Sequence, residues 1–182
     1  MKVNIRYVFM FSSLFFVALL GCTQETIQTH IVEKTVIKTM ETPQSRRQGI
    51  SWSYVPSHWT LTTASGLRIA SFMAKQHSHT TEITVISLPE RSQTLLANIN
   101  RWRGQLSLPS VTAKDIGSMS QKLTLLGLDM TAVHLVADTQ AIYSVIFPYN
   151  GNNVFVKIQG SIHEVEEEIY FINRFIGGLV LD

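Results

Sequence analysis

Apolar and polar residues are arranged in two distinct rhythms along this chain. Runs of period two, rich in β-branched and aromatic residues, predict strands at residues 51–55, 67–74 and 82–88. Pro56 closes the first run, and residues 76–80 join the other two as a hairpin loop. In the third, Ile83 and Val85 alternate with Thr84, Ile86 and Leu88. The rhythm then changes. Leu95, Ile99, Trp102 and Leu106 recur at spacings of 4, 3 and 4, which places them on one face of a helix. Ser92 is its expected cap and Pro109 its stop, and a short helical turn is expected at residues 113–117. Period two returns at residues 121–126, 131–137, 141–149 and 153–159, with Asn150-Gly151-Asn152 as a tight turn between the last two. A second helix follows. Ser161 and Glu164 have the spacing of a capping box. Ile162, Val165, Ile169, Ile172, Ile176 and Leu179 then repeat by 3 and 4. Hairpin-length connections and one-sided helices predict an α+β fold, an antiparallel β-sheet covered by two main helices.

The first 48 residues follow neither rhythm. Lys2 and Arg6 precede an almost wholly apolar stretch, residues 8–20, that is shorter than the about 20 residues of a membrane-spanning helix. A positive start, a short apolar core and a small residue at the end describe an export signal. The ending Leu19-Leu20-Gly21-Cys22 resembles the bacterial lipobox. That resemblance implies cleavage before Cys22, a signal peptide at residues 1–21, and lipid on the cysteine. Two or more acyl chains hold a protein stably at a membrane, whereas one does not. Thr23 stands where Asp commonly marks retention in the inner membrane, so the expected place is the outer membrane, facing the periplasm, if the source has two membranes. Residues 22–48 are expected to be a lipid-anchored tether. Thr23, Thr26, Thr29, Thr35, Thr39 and Thr42 alternate there with Glu, Lys and Gln, without an aromatic residue. As a flexible coil it would span about 25–30 Å. Residues 31–37 could instead dock as a short strand. The globular domain is then residues 49–182.

Composition changes this picture in two ways. The formal charge of +2 includes Lys2 and Arg6; removing those two of the 15 basic residues leaves 13 against 13 acidic ones. A neutral domain without a basic stripe gives no sign of nucleic-acid binding. Cys22 is the sole cysteine, so disulfides, thiolate catalysis and cysteine metal clusters are excluded within the chain.

The candidate interaction residues are Asn98, Arg101, Trp102 and Gln105. Asn98, Arg101 and Gln105 are spaced by 3 and 4 and form a polar face beside the apolar stripe of the first helix. Such a face could bind a carboxylate, a sugar edge or a partner loop, or could tie the helix to its own neighbours. Trp52, Tyr54 and Trp59 are expected in the core. His77 and His79 lack a third ligand near them, and His58, His134 and His163 are scattered, so no metal is expected. Glu164, Glu166, Glu167 and Glu168 are expected on a solvated helix face favoured by the helix dipole. No Gly-rich phosphate loop, nucleophile elbow or carboxylate pair is present, and neither a cofactor nor enzymatic activity is expected.

Three stretches carry a further resemblance. They are Val55-Pro56 followed by Trp59, the helix Asn98-Ile99-Asn100-Arg101-Trp102-Arg103-Gly104-Gln105-Leu106, and Phe155-Val156-Lys157-Ile158-Gln159-Gly160 followed by a helix ending Phe175-Ile176. Together they resemble bacterial envelope proteins with a Mog1/PsbP-like domain, over roughly residues 51–181. Ser107 and Gly177-Gly178 depart from that pattern at the helix ends. The resemblance implies an antiparallel sheet covered by helices and a role in binding or assembly, and it supplies no catalytic residue. The expected function is a membrane-anchored, non-enzymatic interaction or assembly module of the cell envelope, with an envelope protein as a possible partner. A carrier or sensor of a small apolar or aromatic ligand is the alternative, and requires an enclosed pocket near Trp102. A hydrolase of an envelope polymer requires a cleft with convergent polar groups.

Overall fold

Seven strands form one antiparallel sheet in the order β2-β3-β4-β8-β7-β6-β5. Their ranges are β2 Trp59–Thr62, β3 Arg68–Gln76, β4 His79–Pro89, β5 Ser120–Leu125, β6 Leu128–Val136, β7 Gln140–Tyr149 and β8 Asn152–Ser161. The helices are α1 Pro43–Arg47, α2 Leu95–Gln105 and α3 Ile162–Gly177, and a separate pair joins β1 Ile50–Trp52 to β9 Leu179–Leu181. The computed structural model describes residues 40–77, 79–92 and 94–182, which belong to one compact unit, Val36–Asp182. The expected signal peptide, Cys22 and most of the expected tether lie outside the described residues. The architecture is α+β, with helices on both faces of the sheet.

The turns follow from local chemistry. Asn150 and Gly151 both have positive φ, +48° and +71°, the arrangement of the two-residue turn that matches strand twist. Leu126 and Gly127 do the same between β5 and β6, at +56° and +74°.

Each sheet face has its own core. On one, Val165, Ile172, Phe175 and Ile176 of α3 pack on Phe72, Ile83, Val85, Val145, Val156 and Ile158. Trp52, Trp59 and Phe72 surround Phe175, with ring centroids 5.3–5.5 Å from it. On the other, Ile99, Trp102 and Leu106 of α2 pack on Val133, Leu135, Ile142 and Phe155. The Trp102 and Phe155 rings meet edge to face at 6.3 Å.

Four sequence expectations need correction. Residues 40–48, assigned to the tether, are folded onto the domain. Met40 bridges Trp52 through two backbone hydrogen bonds, and Thr42 caps α1 in a box with Ser45. The Thr42 hydroxyl also donates to the Ile69 carbonyl, and Ser45 is fully buried. A second difference lies at the C-terminus. The last helix ends at Gly177, and Leu179 belongs to β9, which pairs with the strand expected at 51–55. Gly178 permits this junction, because a Cβ there would sit 2.8 Å from the Cβ of Tyr54. Finally, Trp59–Thr62 forms the edge strand β2, where no strand was expected, and α2 is capped by Thr94 rather than Ser92, which ends a 3-10 turn.

Candidate functional site

The two helices cover unequal shares of the sheet. The core beneath helix α2 draws on β6, β7, β8 and the Ile86–Leu88 end of β4, but a groove remains beside it, where Arg68 of β3 and Glu82 of β4 are only partly covered. A groove of about 700 Å³ lies there, within the range of small-molecule sites. Its floor follows from strand pairing. Thr84 of β4 stands opposite Lys157 of β8, and Lys157 opposite Ser144 of β7, so all three project on the α2 face. Residues 156 and 158 point the other way, into the α3 core. Arg68 and Glu82 lie at one side, and Arg101 and Gln105 hang from the helix at the other.

Lys157 is the centre of this arrangement. Its Nζ donates to Oε1 of Gln105 at 2.7 Å and to Oε1 of Gln159 at 3.1 Å. Among the described residues no carboxylate pairs with it. Burial pushes the Lys157 ammonium down to about 8, and the guanidinium groups of Arg101 and Arg68 add to that effect. Arg68 pairs with Glu82 at 2.8 Å, and both are partly exposed. Among the described residues that line the groove, Arg68, Arg101 and Lys157 are basic and Glu82 is acidic.

The candidate residues divide between two roles. Arg101 and Gln105 are exposed and line the groove. Asn98 is 1% exposed and serves its own helix: its amide donates to the Thr94 carbonyl at 3.1 Å and its oxygen accepts from Arg101 at 2.6 Å. Trp102 is 2% exposed, packed on Phe155, with only an edge on the groove wall. The space beside Trp102 is an open groove with both polar and apolar lining, whereas an apolar-ligand carrier requires an enclosed pocket there. Lys157 was missed as a site residue. Its signal was a charged residue inside a strand otherwise reading Val-Phe-Val-x-Ile.

Glu168 is a further correction. Expected on a solvated face, it is 3% exposed. Its Oε2 accepts from Trp59 Nε1 at 2.8 Å, and its Oε1 meets His58 Nε2 at 2.9 Å and Gln76 Nε2 at 3.0 Å. Trp59 of β2, Gln76 at the end of β3 and His58 just before β2 supply those partners, which is why a carboxylate survives burial there. The space beside this cluster is about 10 Å³, so it holds no ligand. Trp52 and Trp59 are core residues, and Tyr54 stacks beneath Arg174 at 4.5 Å. His77 and His79 sit at the β3–β4 hairpin, where His79 faces Glu164 at 3.4 Å, and the described residues contain no group of three metal-ligating side chains. A second cleft, about 730 Å³, lies on the α3 face between Leu123, Ala132, Tyr143 and Ile169. The Tyr143 hydroxyl in it is engaged, donating to Asn173 Oδ1 at 2.9 Å.

No protein-family model matches this chain, and no curated protein matches it. It is similar in structure to the cyanobacterial PsbP protein CyanoP of Synechocystis, with a TM-score of 0.49 and 11% identity over 80% of this chain and 92% of that one. A Bacteroides thetaiotaomicron protein is similar at a TM-score of 0.44 and 10% identity, over 79% of this chain and 48% of its own. LpqN, described as involved in cell envelope biogenesis of Mycobacterium tuberculosis, is similar at a TM-score of 0.42 and 15% identity, over 72% of this chain and 82% of that one. These are likenesses of fold, and they bring no site residue to this chain.

Proposed function

We propose that this chain is a bacterial lipoprotein, held at an envelope membrane by lipid on Cys22, and that its α+β domain is a non-enzymatic interaction module. If the source has two membranes, the chain is anchored in the outer one and faces the periplasm. The groove beside α2 is the surface that engages an envelope component. The observation that carries this reading is the half-covered sheet face, where Arg68, Arg101, Gln105 and Lys157 converge on one open space. The anchor rests on the resemblance of residues 19–22 to a lipobox.

Lys157 is the one feature that a hydrolase reading would claim, because its pKa of about 8 suits a base. Its side-chain partners are two neutral amides, and no hydroxyl, imidazole or carboxylate bonds to its ammonium among the described residues, so the arrangement favours binding.

The test places a photo-crosslinking residue at position 105 of the full chain in cells. A discrete adduct in the membrane fraction is expected, lost when Lys157→Glu reverses the groove's charge. Cys22→Ala should abolish lipid labelling and release the chain from membranes. Membrane fractionation that survives Cys22→Ala sinks the anchor, and an adduct indifferent to Lys157→Glu sinks the groove.

A further inference from the structure

Lys157 stands apart from the other described lysines. Lys75, Lys114 and Lys122 are exposed, whereas Lys157 is half-buried on the floor of the groove. Its Nζ has two acceptors, Oε1 of Gln105 at 2.7 Å and Oε1 of Gln159 at 3.1 Å, and no carboxylate bonds to it among the described residues. An ammonium has three N–H donors to place. A neutral amine has two, so the two amide oxygens satisfy it and its lone pair is turned away from both. Burial penalises the ammonium, and Arg101 and Arg68 add to this through charge alone, whatever partners they hold. The surroundings thus favour the nucleophilic form of the side chain. The charged groups facing it are Arg68 of β3, Glu82 of β4 and Arg101 of α2; Glu82 pairs with Arg68, and Arg101 donates to Asn98.

Resting on the groove as the interaction surface, we propose that Lys157 is a site of covalent capture, where its amine condenses with an aldehyde to form an imine. The Nζ lone pair attacks the carbonyl carbon, the C–N bond forms as the C–O π pair moves to oxygen, and a proton passes from nitrogen to that oxygen. The carbinolamine then loses its hydroxyl and the remaining nitrogen proton as water, leaving C=N. One amine and one aldehyde give one imine and one water, with no oxidant or reductant. A desolvated lysine is a known nucleophile in such condensations. The product suits the site, because a neutral imine escapes the penalty that burial places on the ammonium. Gln105 and Gln159 are both exposed, so their amides turn to water when the imine removes both donors. The body of the aldehyde is short and apolar: Ile86, Leu88 and an edge of Trp102 line the same groove, whose volume is about 700 Å³.

Reductive labelling of the full-length chain in neutral detergent reads this directly. The chain is incubated with hexanal or acetaldehyde and with cyanoborohydride, which reduces an imine to a stable amine, and the lysines are compared by peptide mass spectrometry. Near pH 8, Lys157 should be labelled faster than Lys75, Lys114 and Lys122 by about tenfold or more, its rate levelling above about 8 while theirs climb towards about 10.4. Hexanal should reach half-labelling at lower concentration than acetaldehyde, because the apolar lining holds its chain. In urea the preference for Lys157 should vanish. Lys157→Arg keeps the charge and should remove the adduct without lowering the thermal melt; the urea comparison decides the matter if that variant does not fold. Comparable labelling of the four lysines in the folded chain, a Lys157 rate that climbs with the others, or equal demand for the two aldehydes overturns the proposal. A position-105 adduct that persists while hexanal shows no preference for Lys157 would leave the groove as an interaction surface and remove only its covalent chemistry.

Discussion

Helix α3 lays 16 residues across one face of the sheet, and α2 lays 11 across the other. The longer helix is assisted. Trp52 from β1, Leu179 from β9 and Trp59 from β2 fill the flanks of its core, so that face is closed over β3, β4, β7 and β8. The shorter helix has no such flanking pieces over β3 and the first half of β4, and Arg68, Glu82 and Thr84 remain there on strands whose opposite side carries Phe72, Ile83 and Val85. Strand β8 displays the contrast within three residues: Val156 and Ile158 are fully buried, while Lys157 between them opens to the groove. Period two alone cannot give this asymmetry, because each strand serves both faces. Helix length decides which face becomes core and which remains a surface for binding.

The largest effect should come from the closed face. Phe175 touches Trp52, Trp59 and Phe72, so Phe175→Ala removes the hub of that cluster. A loss of about 3–5 kcal/mol is expected in urea unfolding. Gln105→Ala on the open face should change stability by less than about 0.5 kcal/mol. Equal losses at the two positions would mean that the groove is structural and would break the comparison.

Next in size is the buried carboxylate of the closed face. Glu168→Ala leaves the Trp59 indole N–H and the Gln76 amide without their acceptor and opens a polar void. The cost should be about 2–3 kcal/mol, with a shift in Trp59 fluorescence as its indole loses the bond. Glu168→Gln keeps an acceptor oxygen and should fall between the two. If Glu168→Ala proved neutral, the cluster would not be holding β2 to α3.

What the sequence made legible divides along the same line. The stripes of α2 and α3, the hairpins and the Asn150-Gly151 turn were readable because their signals are local: spacing, capping residues and positive-φ preference. The failures lie where distant segments complete each other. Thr42 and Ser45 look like tether, and only the Ile69 carbonyl on β3 and the bridge from Met40 to Trp52 make them part of the fold. Leu179 continues a 3–4 repeat, yet pairing with Trp52 draws it into a strand. Glu168 was misplaced for the opposite reason. It follows Val165 by three and precedes Ile172 by four, so it lies on the apolar stripe, and that position was the available clue to its burial. Three of the four candidate site residues reach the groove, Arg101 and Gln105 as exposed side chains and Trp102 only by an edge. Lys157 was missed because its role depends on which strand lies beneath the end of α2.

The smallest effect is one of charge, and it tests the open face most directly. Lys157 should titrate at about 8 by nitrogen-detected NMR, against about 10.4 for an unperturbed lysine. Burial is the larger cause and the neighbouring guanidiniums the smaller. Arg101→Gln should therefore raise the lysine's pKa only part of the way to the ordinary value. The sign of the linked stability change follows from proton counts. Between the two values the unfolded chain carries the proton on this lysine more often than the folded one, so stability rises with pH across that window. Below it both states are protonated and the penalty for keeping a charged lysine in the groove is fully present. The pH slope of stability between 8 and about 10.4 should thus be shallower in Lys157→Met than in the parent chain. Identical slopes would mean that Lys157 is solvated as an ordinary surface lysine, and that the open face lacks the electrostatic character that sets it apart from the closed one.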